Sequence, residues 1–171
     1  MKSARIVHLD PATLGALAAG ELPLASPVPL INHLTGPEQC PLWRRRSRQV
    51  AADPAAAAWV TGVVWAPAIW VAVGRAGFHG PPDEAGMVEV GYAIDPAYRR
   101  RGYARATLAA LLDRATREPA VHTVRASVRP DNLASRALVE SFGFIPVRQQ
   151  WDDEDGLELV FEKPMSASGQ T

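Results

Sequence analysis

Several features are scarce in this chain of 171 residues, and each scarcity narrows what the protein can be. Cys40 is the single cysteine, so an internal disulfide framework is excluded and a reducing, cytoplasmic location is expected. No apolar run approaches the roughly 18 residues of a membrane span, and the short apolar stretch 14–19 lacks the form of a secretory signal. Eighteen basic residues balance eighteen acidic ones, and this zero net charge argues against a nucleic-acid or membrane partner.

Known nucleotide and metal motifs are missing as well. The chain contains neither the GxxxxGK[ST] phosphate loop nor the GxGxxG dinucleotide fingerprint. HExxH is absent, and the histidines do not have the spacing of metal ligands: His8, His33, His79 and His122. We therefore expect no bound metal. Lysine is scarce too, and the preponderance of arginine suits forked binding of phosphate or carboxylate.

The stretch that organises the rest of the chain is VEVGYAIDPAYRRRGYA, residues 88–104. Apolar and polar or small residues alternate through Ile94, which predicts a two-faced strand that ends at Asp95. Apolar residues then recur at helical spacing, which predicts a helix from about Gly102 to about Arg117. The predicted connection is strand, short turn, helix.

A basic turn stands at the head of that helix and consists of Arg99, Arg100, Arg101 and Gly102. The first turn of a helix has backbone N–H groups without internal partners, and a glycine lets an anion approach the backbone closely. These residues predict a phosphate site. The alternative is a solvated basic helix start.

A second strand and helix follow. Residues 123–129 alternate as a strand, and Asn132 is placed to cap a helix that ends near Gly143 in a left-handed residue. An acidic turn over 152–156 lies between two further strand patterns, which predicts a closing hairpin.

The first half of the chain has weaker signals. They predict a strand over 4–9, a helix capped by Asp10, a helical segment over 41–58 broken by Pro54, and two antiparallel strands at 59–65 and 69–73, the second continuing towards Phe78. The length fits a single domain over residues 1–164, with a disordered tail over 165–171.

A basic cluster, Arg44 to Arg48 with Ser47 between, lies in the predicted segment 41–58. It is interpreted as a solvated helix face rather than a site for an acidic partner. Trp43 and Trp65 are candidates to line an acceptor pocket, although tryptophans are more often core residues. Cys40 has no identifiable base beside it and is read as an incidental thiol.

Two motifs resemble those of the GCN5-related N-acetyltransferase (GNAT) superfamily. Arg99-x-x-Gly102-x-Ala104 resembles its pyrophosphate-binding motif, (Q/R)xxGx(G/A), and the segment from Asn132 through Ser135 to Gly143-Phe144 resembles NxxSxxxxxxxGF. The pattern is closest to the ribosomal-protein N-terminal acetyltransferase-like subgroup. The resemblance implies an α/β (α+β) fold, with a central mixed, mostly antiparallel sheet of six to seven strands flanked by about four helices.

The resemblance also implies acetyl-CoA as cofactor and direct transfer of its acetyl group to a primary amine. The cofactor-binding residues it implies are Ala93, Ile94, Arg99, Arg100, Arg101, Gly102, Tyr103, Ala104, Asn132 and Ser135. Backbone N–H groups near Ala93 and Ile94 would receive the thioester oxygen, in a region where strands of this family separate. Asn132 would orient the cofactor arm or the local backbone.

Two side chains are candidates for proton transfer by the same resemblance. Glu89 is the candidate general base, on a strand face with the small residues Gly91 and Ala93, although an exposed structural carboxylate is the alternative and Glu84 is a less favoured base. Many family members have a tyrosine where this chain has Val139, so Ser135 is the candidate acid. The alternative for Ser135 is a helix cap or a hydrogen bond to the pantetheine arm.

The acceptor cannot be read from the first half of the chain. A protein N-terminus and a small-molecule amine both fit, and a homodimer is compatible with either. The rival functions are a non-catalytic acyl-CoA-binding regulatory module and a nucleic-acid-binding module that uses the two arginine clusters, the second disfavoured by the zero net charge.

Overall fold

The computed structural model describes residues 3–165, so the predicted tail, apart from Met165, lies outside the described residues. Within this range the chain forms seven β-strands and five α-helices. In chain order they are β1 Arg5–Val7, α1 Pro11–Ala19, α2 Asn32–Thr35, α3 Cys40–Ala52, β2 Gly62–Ala66, β3 Val71–Phe78, β4 Met87–Ile94, α4 Tyr103–Arg117, β5 Thr123–Val128, α5 Leu133–Ser141, β6 Ile145–Asp152 and β7 Gly156–Pro164.

The seven strands form one sheet in the order β1-β2-β3-β4-β5-β7-β6. The pairs β1–β2, β2–β3, β5–β7 and β6–β7 are antiparallel, whereas β4 and β5 are parallel. Parallel neighbours need a long crossover connection, and α4 supplies it between β4 and β5. This mixed, mostly antiparallel sheet confirms the predicted fold class.

The described residues cluster into two compact units, whose boundaries cross β4 and α4. The first unit comprises residues up to 81 together with 92–111, and the second comprises 82–91 together with the residues from 112 onward.

In the first unit, helices and strands bury an apolar core around Trp43, Leu34, Leu17 and Val63, none of which is more than 1% exposed. Asp10 caps α1 as predicted, because its Oδ1 accepts a hydrogen bond of 2.8 Å from the Thr13 N–H. The indole N–H of Trp43 donates to the Leu34 carbonyl at 2.7 Å. Trp43 is therefore a core residue, and its candidacy for an acceptor pocket is wrong.

The arginine run in α3 is only partly a solvated face. Arg44, Arg45 and Arg48 are exposed, but Arg46 is 4% exposed and faces the core. Burial, with repulsion from Arg45 and Arg75, lowers the pKa of Arg46 to about 10. The interpretation of the whole cluster as a solvated face is wrong for this one residue.

Strand β2 begins three residues later than predicted. Pro54 starts a 3₁₀ turn over Pro54–Ala58, and its hydrogen bonds run on to Trp59 and Val60, whose N–H groups both donate to the Ala56 carbonyl. These backbone groups are used by the turn, so they are not available to a sheet ladder. Gly62 is the first strand residue.

The second unit contains the predicted strand–helix–hairpin succession. Helix α5 ends at Ser141, and Gly143 follows in the predicted left-handed conformation, with φ of 82°. An ion pair links the neighbouring strands β5 and β7. Arg125 donates to Oε1 of Glu162 from Nε at 3.0 Å and from Nη2 at 2.7 Å. The acidic turn links β6 to β7 as predicted.

Candidate active site

The turn between β4 and α4, in the first unit, is fixed by two hydrogen bonds. The Oδ1 atom of Asp95 accepts from the Ala97 N–H at 2.8 Å and caps a 3₁₀ turn over Pro96–Tyr98. The Nε–H of Arg99 donates to the Ile94 carbonyl at 2.9 Å, which ties the turn back to the last residue of β4. The strand, turn and helix predicted from the sequence are confirmed, and the helix begins at Tyr103.

Two residues of this turn have a left-handed backbone, Arg100 with φ of 57° and Gly102 with φ of 86°. This conformation costs a residue with a side chain roughly 1–2 kcal/mol, so an arginine that adopts it signals a constraint on the backbone. Left-handed residues in a short turn let neighbouring N–H groups face one side, which is how backbone concavities for anions are built. The backbone of the turn is therefore compatible with the predicted phosphate site.

The electrostatics of the turn also favour an anion. The first turn of α4 contains no acidic residue, so no internal carboxylate competes for the positive end of the helix dipole. The Arg101 guanidinium lies 5.6 Å from the centre of the Tyr98 ring, a cation–π contact that holds this side chain at the turn. Tyr103 is buried, at 3% exposure, and its ring meets the Tyr98 ring edge-on with 6.5 Å between the ring centres.

The end of β4 carries the backbone groups of Ala93 and Ile94. The parallel ladder joins β4 to β5 from Met87 to Val90, and β4 then continues to Ile94 beyond the last β5 pair. On its other side this segment is held close to β3, because the Asp95 N–H donates to the Val73 carbonyl at 2.9 Å. Gly74 of β3 makes the close approach feasible, because a Cβ atom at this position would meet the Ala93 carbonyl, a contact that no local pattern predicts.

Glu89, in the second unit, lies on the half-buried face of β4. Its Oε1 atom accepts a hydrogen bond of 2.6 Å from the hydroxyl of Ser127 on β5. Glu84, the less favoured candidate base, is an exposed residue of the turn that precedes β4. The two carboxylates therefore have different surroundings: Glu84 is exposed in a turn, whereas Glu89 accepts a hydrogen bond from a neighbouring strand.

Asn132 and Ser135 meet at the start of α5. Oδ1 of Asn132 accepts a hydrogen bond of 3.1 Å from the Ser135 N–H, so Asn132 is the helix cap and orients the local backbone. The role of the Ser135 side chain stays a prediction. Ser135 is half-buried.

The structure therefore brings the predicted residues together in three groups. Ala93 and Ile94 are linked to the basic turn in the first unit, whereas Glu89 and the Asn132–Ser135 pair belong to the second. Sequence reasoning missed Ser127, although its place two residues after Arg125 on the same face of β5 was readable from the alternation. Among residues 3–165 no group of three potential metal ligands occurs, and no helix there is long and apolar enough to cross a membrane.

Comparison with known proteins finds a matching family, similar sequences and similar folds. Residues 29–145 match the family model of the acetyltransferase (GNAT) domain. The chain is 40% identical over 73 residues to the uncharacterized N-acetyltransferase YjdG of Bacillus subtilis (strain 168), an alignment that covers 43% of this chain and 44% of YjdG. The chain thus spans less than half the length of the curated relatives it matches.

Two solved structures share the fold. One is RimL, a ribosomal L7/L12 alpha-N-protein acetyltransferase in complex with coenzyme A, with a TM-score of 0.69, 14% identity and coverage of 98% of this chain and 97% of RimL. The other is a chimera of the spermidine N-acetyltransferase SpeG from Vibrio cholerae and hSSAT, with a TM-score of 0.66, 15% identity and coverage of 94% of each chain. Since the family match covers more than half of the sequence, this chain belongs to the GNAT acetyltransferase family.

Proposed function

We propose that this chain is an acetyl-CoA-dependent N-acetyltransferase that transfers the acetyl group to a primary amine by direct attack. The observation that carries the proposal is the turn over residues 99–104, in which two left-handed residues and three arginines precede a helix start without an acidic residue. The proposal includes a single domain over residues 1–164 and a cytoplasmic location, the latter favoured by the lone cysteine.

The residues of the turn fit a diphosphate. Arg100 and Arg101 would supply guanidinium groups, while the backbone N–H groups of Gly102, Tyr103 and Ala104 would supply hydrogen bonds at the positive end of α4. Arg99 would have a second duty, because its Nε–H already holds the Ile94 carbonyl. When bound, acetyl-CoA supplies an acetyl thioester.

The remaining residues would serve the three demands of acyl transfer to an amine. Glu89 would take the proton of the ammonium group, directly or through water, so that the nitrogen can attack. Backbone N–H groups near Ala93 and Ile94 would bind the carbonyl oxygen as it gains negative charge. Ser135 would protonate the leaving thiolate or bind the pantetheine arm, with Asn132 fixing the backbone beneath it.

The acceptor class is drawn from proteins of similar fold. RimL is described as acting on a ribosomal protein N-terminus and SpeG as acting on spermidine, so a protein N-terminus and a polyamine are the acceptors to test first. A homodimer is compatible with either acceptor.

The decisive experiment is mass spectrometry of an amine panel incubated with acetyl-CoA labelled in its acetyl group. The panel contains peptides that begin with serine or alanine, spermidine and free amino acids. Label transferred to an amine supports the proposal. If coenzyme A binds but no amine in the panel is acetylated, the proposal fails and the non-catalytic acyl-CoA-binding module takes its place.

A further inference from the structure

A row of polar side chains crosses one face of the second unit. Glu89 of β4, Ser127 of β5, Gln150 of β6 and Glu158 of β7 lie on it, and we call these four residues the relay. Gln150 and Glu158 are directly paired across β6 and β7, and Ser127 is paired with Val160, two residues along the same face from Glu158. The face is half-buried at all four residues, so their polar groups need partners.

The hydrogen bonds of the relay run in one direction. Arg148 donates from Nη2 to Oε1 of Gln150 at 3.1 Å, which places the Gln150 amide group on the other side. From there Nε2 donates to Oε2 of Glu158 at 2.9 Å and to the Ser127 hydroxyl oxygen at 3.3 Å. The Ser127 hydroxyl in turn donates to Oε1 of Glu89 at 2.6 Å.

This direction is the one the chemistry permits. If the Gln150 amide were reversed, its oxygen would face the Glu158 carboxylate and its nitrogen would face the Arg148 guanidinium, two mismatched contacts. Because Gln150 donates to the oxygen of Ser127, the serine proton is left to point at Glu89. Each donor in such a series polarises the next, so the last hydrogen bond, to the carboxylate, is strengthened.

We propose that Ser127 and Gln150 are positioning residues for the Glu89 carboxylate in acetyl transfer. This inference rests on the proposed function, in which Glu89 is the general base. The hydrogen bond to Oε1 restricts rotation of the carboxylate and therefore the direction in which it meets the acceptor amine. Gln150 acts through Ser127, and Arg148 and Glu158 hold Gln150 in place.

Three charged residues lie near Glu89 on this face. Arg125, the residue paired with Glu89 across the parallel ladder, is engaged by Glu162. Arg148 is connected to Glu89 through Gln150 and Ser127, whereas Glu158 is connected in the same way and also repels the Glu89 carboxylate directly. Ser127 donates to the carboxylate itself, so its removal should alter the orientation of that group directly.

Removing the Ser127 hydroxyl should lower the rate of acetyl transfer. Without the hydrogen bond that Ser127 donates, the Glu89 carboxylate can turn away from the acceptor amine. Loss of orientation should lower kcat about tenfold. The KM for acetyl-CoA should not change, because none of the relay residues belongs to the basic turn.

The test measures kcat and KM for the panel amine that is acetylated fastest, in wild type, Ser127→Ala, Ser127→Thr and Gln150→Leu. Ser127→Thr keeps a hydroxyl and should restore the wild-type kcat, and Gln150→Leu should lower kcat by less than Ser127→Ala does. Gln149→Leu is the matched control, since Gln149 is exposed and points to the opposite face of β6, and it should leave kcat unchanged. Circular dichroism and melting curves check that each variant is folded.

The Glu89→Gln background separates this inference from the proposed function. If Ser127 acts through Glu89, Ser127→Ala should cause no further loss in Glu89→Gln. An equal loss of kcat in both backgrounds, or a wild-type kcat in folded Ser127→Ala, overturns the positioning role and leaves the acetyltransferase function standing. Full activity of Glu89→Gln, or no acetylated amine with wild type, overturns the proposed base or the proposed function, and the positioning role with it.

Discussion

Gly74 of β3 lies against the carbonyl of Ala93 at the end of β4. A Cβ atom built on Gly74 would be 2.2 Å from the Ala93 oxygen and 3.0 Å from the Ile94 Cα. Both atoms belong to the backbone and cannot rotate aside as the end of a flexible side chain can. Any side chain at position 74 must therefore displace the segment that carries the proposed donors to the thioester oxygen.

We expect Gly74→Ala to lower the free energy of unfolding by about 1–3 kcal/mol, the usual cost of overpacking a rigid site. Acetyl transfer should fall at least tenfold, because a displaced oxyanion donor loses most of its effect. Urea unfolding and initial rates at saturating acetyl-CoA measure the two effects. A folded variant with wild-type stability and kcat would show that the strand end is not constrained in this way.

Gly15→Ala is the matched control for that substitution. No atom lies within 4 Å of a Cβ built on Gly15, which is inside α1. Alanine is favoured over glycine in a helix by roughly 0.5–1 kcal/mol, so this variant should be slightly more stable than wild type and equally active.

Gly102 and Gly143 provide a second matched pair, since both are left-handed, with φ of 86° and 82°. Alanine at either position should cost about 1 kcal/mol of backbone strain. Only Gly102 lies in the basic turn, so only Gly102→Ala should reduce the rise in melting temperature caused by coenzyme A. If coenzyme A raises the melting temperature of both variants equally, the phosphate site does not lie in this turn.

Much of this fold was predictable because its periodic signals are strong. The alternation through Ile94 and the helical spacing after Gly102 gave β4 and α4 nearly to the residue, and Asp10 and Asn132 marked two helix starts by their capping chemistry. These signals are local, so a single sequence contains them in full.

The relay and the Gly74 contact were not predictable in the same way. Gln150 reaches Ser127 only because β7 inserts between β5 and β6, a strand order that no local pattern encodes. The error at Arg46 was avoidable, because Trp43, Arg46 and Val50 recur at helical spacing and share the buried face of α3. That interpretation followed the charge of the four arginines and disregarded the helical spacing.

Arg46 connects α3 to two loops of the first unit. We expect Arg46→Ala to lower the free energy of unfolding by about 3 kcal/mol or more. Its Nε donates to Thr61 Oγ1 at 3.0 Å, and its Nη1 donates to Gln49 Oε1 at 2.7 Å and to the His79 carbonyl at 3.2 Å. Truncation removes the donor to the buried Thr61 hydroxyl and to the partly buried Gln49 amide oxygen, while the His79 carbonyl still accepts from Gln49 Nε2 at 2.7 Å. Lysine should recover little, since it lacks the fork that meets all three.

Arg48→Ala is the control for the arginine run, because Arg48 is exposed on the same helix. Its free energy of unfolding should stay within about 0.5 kcal/mol of wild type. Chemical denaturation of Arg46→Ala and Arg48→Ala compares a buried and a solvated arginine of one cluster. A similar loss of unfolding free energy in both variants would contradict a stabilising role for buried Arg46.

Replacing either of two glutamates of β7 by glutamine should change the free energy of unfolding, and the two changes should have opposite signs. Partial burial, aided by repulsion from Asp152, Asp155 and Glu89, raises the pKa of Glu158 above its ordinary value of 4.5, against the lowering effect of the Gln150 hydrogen bond. Ionised Glu158 therefore costs stability at neutral pH. Glu162, by contrast, pairs with Arg125 at 2.7 Å, and both side chains are largely shielded from solvent.

We expect Glu158→Gln to raise the free energy of unfolding at pH 7, by less than about 1 kcal/mol because the side chain is half-exposed. The gain should shrink as the pH falls through the raised pKa and should vanish below 4.5, where wild-type Glu158 is protonated in both the folded and the unfolded state. Glu162→Gln should lower stability at pH 7 by about 1 kcal/mol or more, because it removes the charged acceptor of two hydrogen bonds. Urea unfolding at pH 7 and pH 4 measures both variants, and a loss at pH 7 in Glu158→Gln would mean that its hydrogen bond from Gln150 outweighs the burial of its charge.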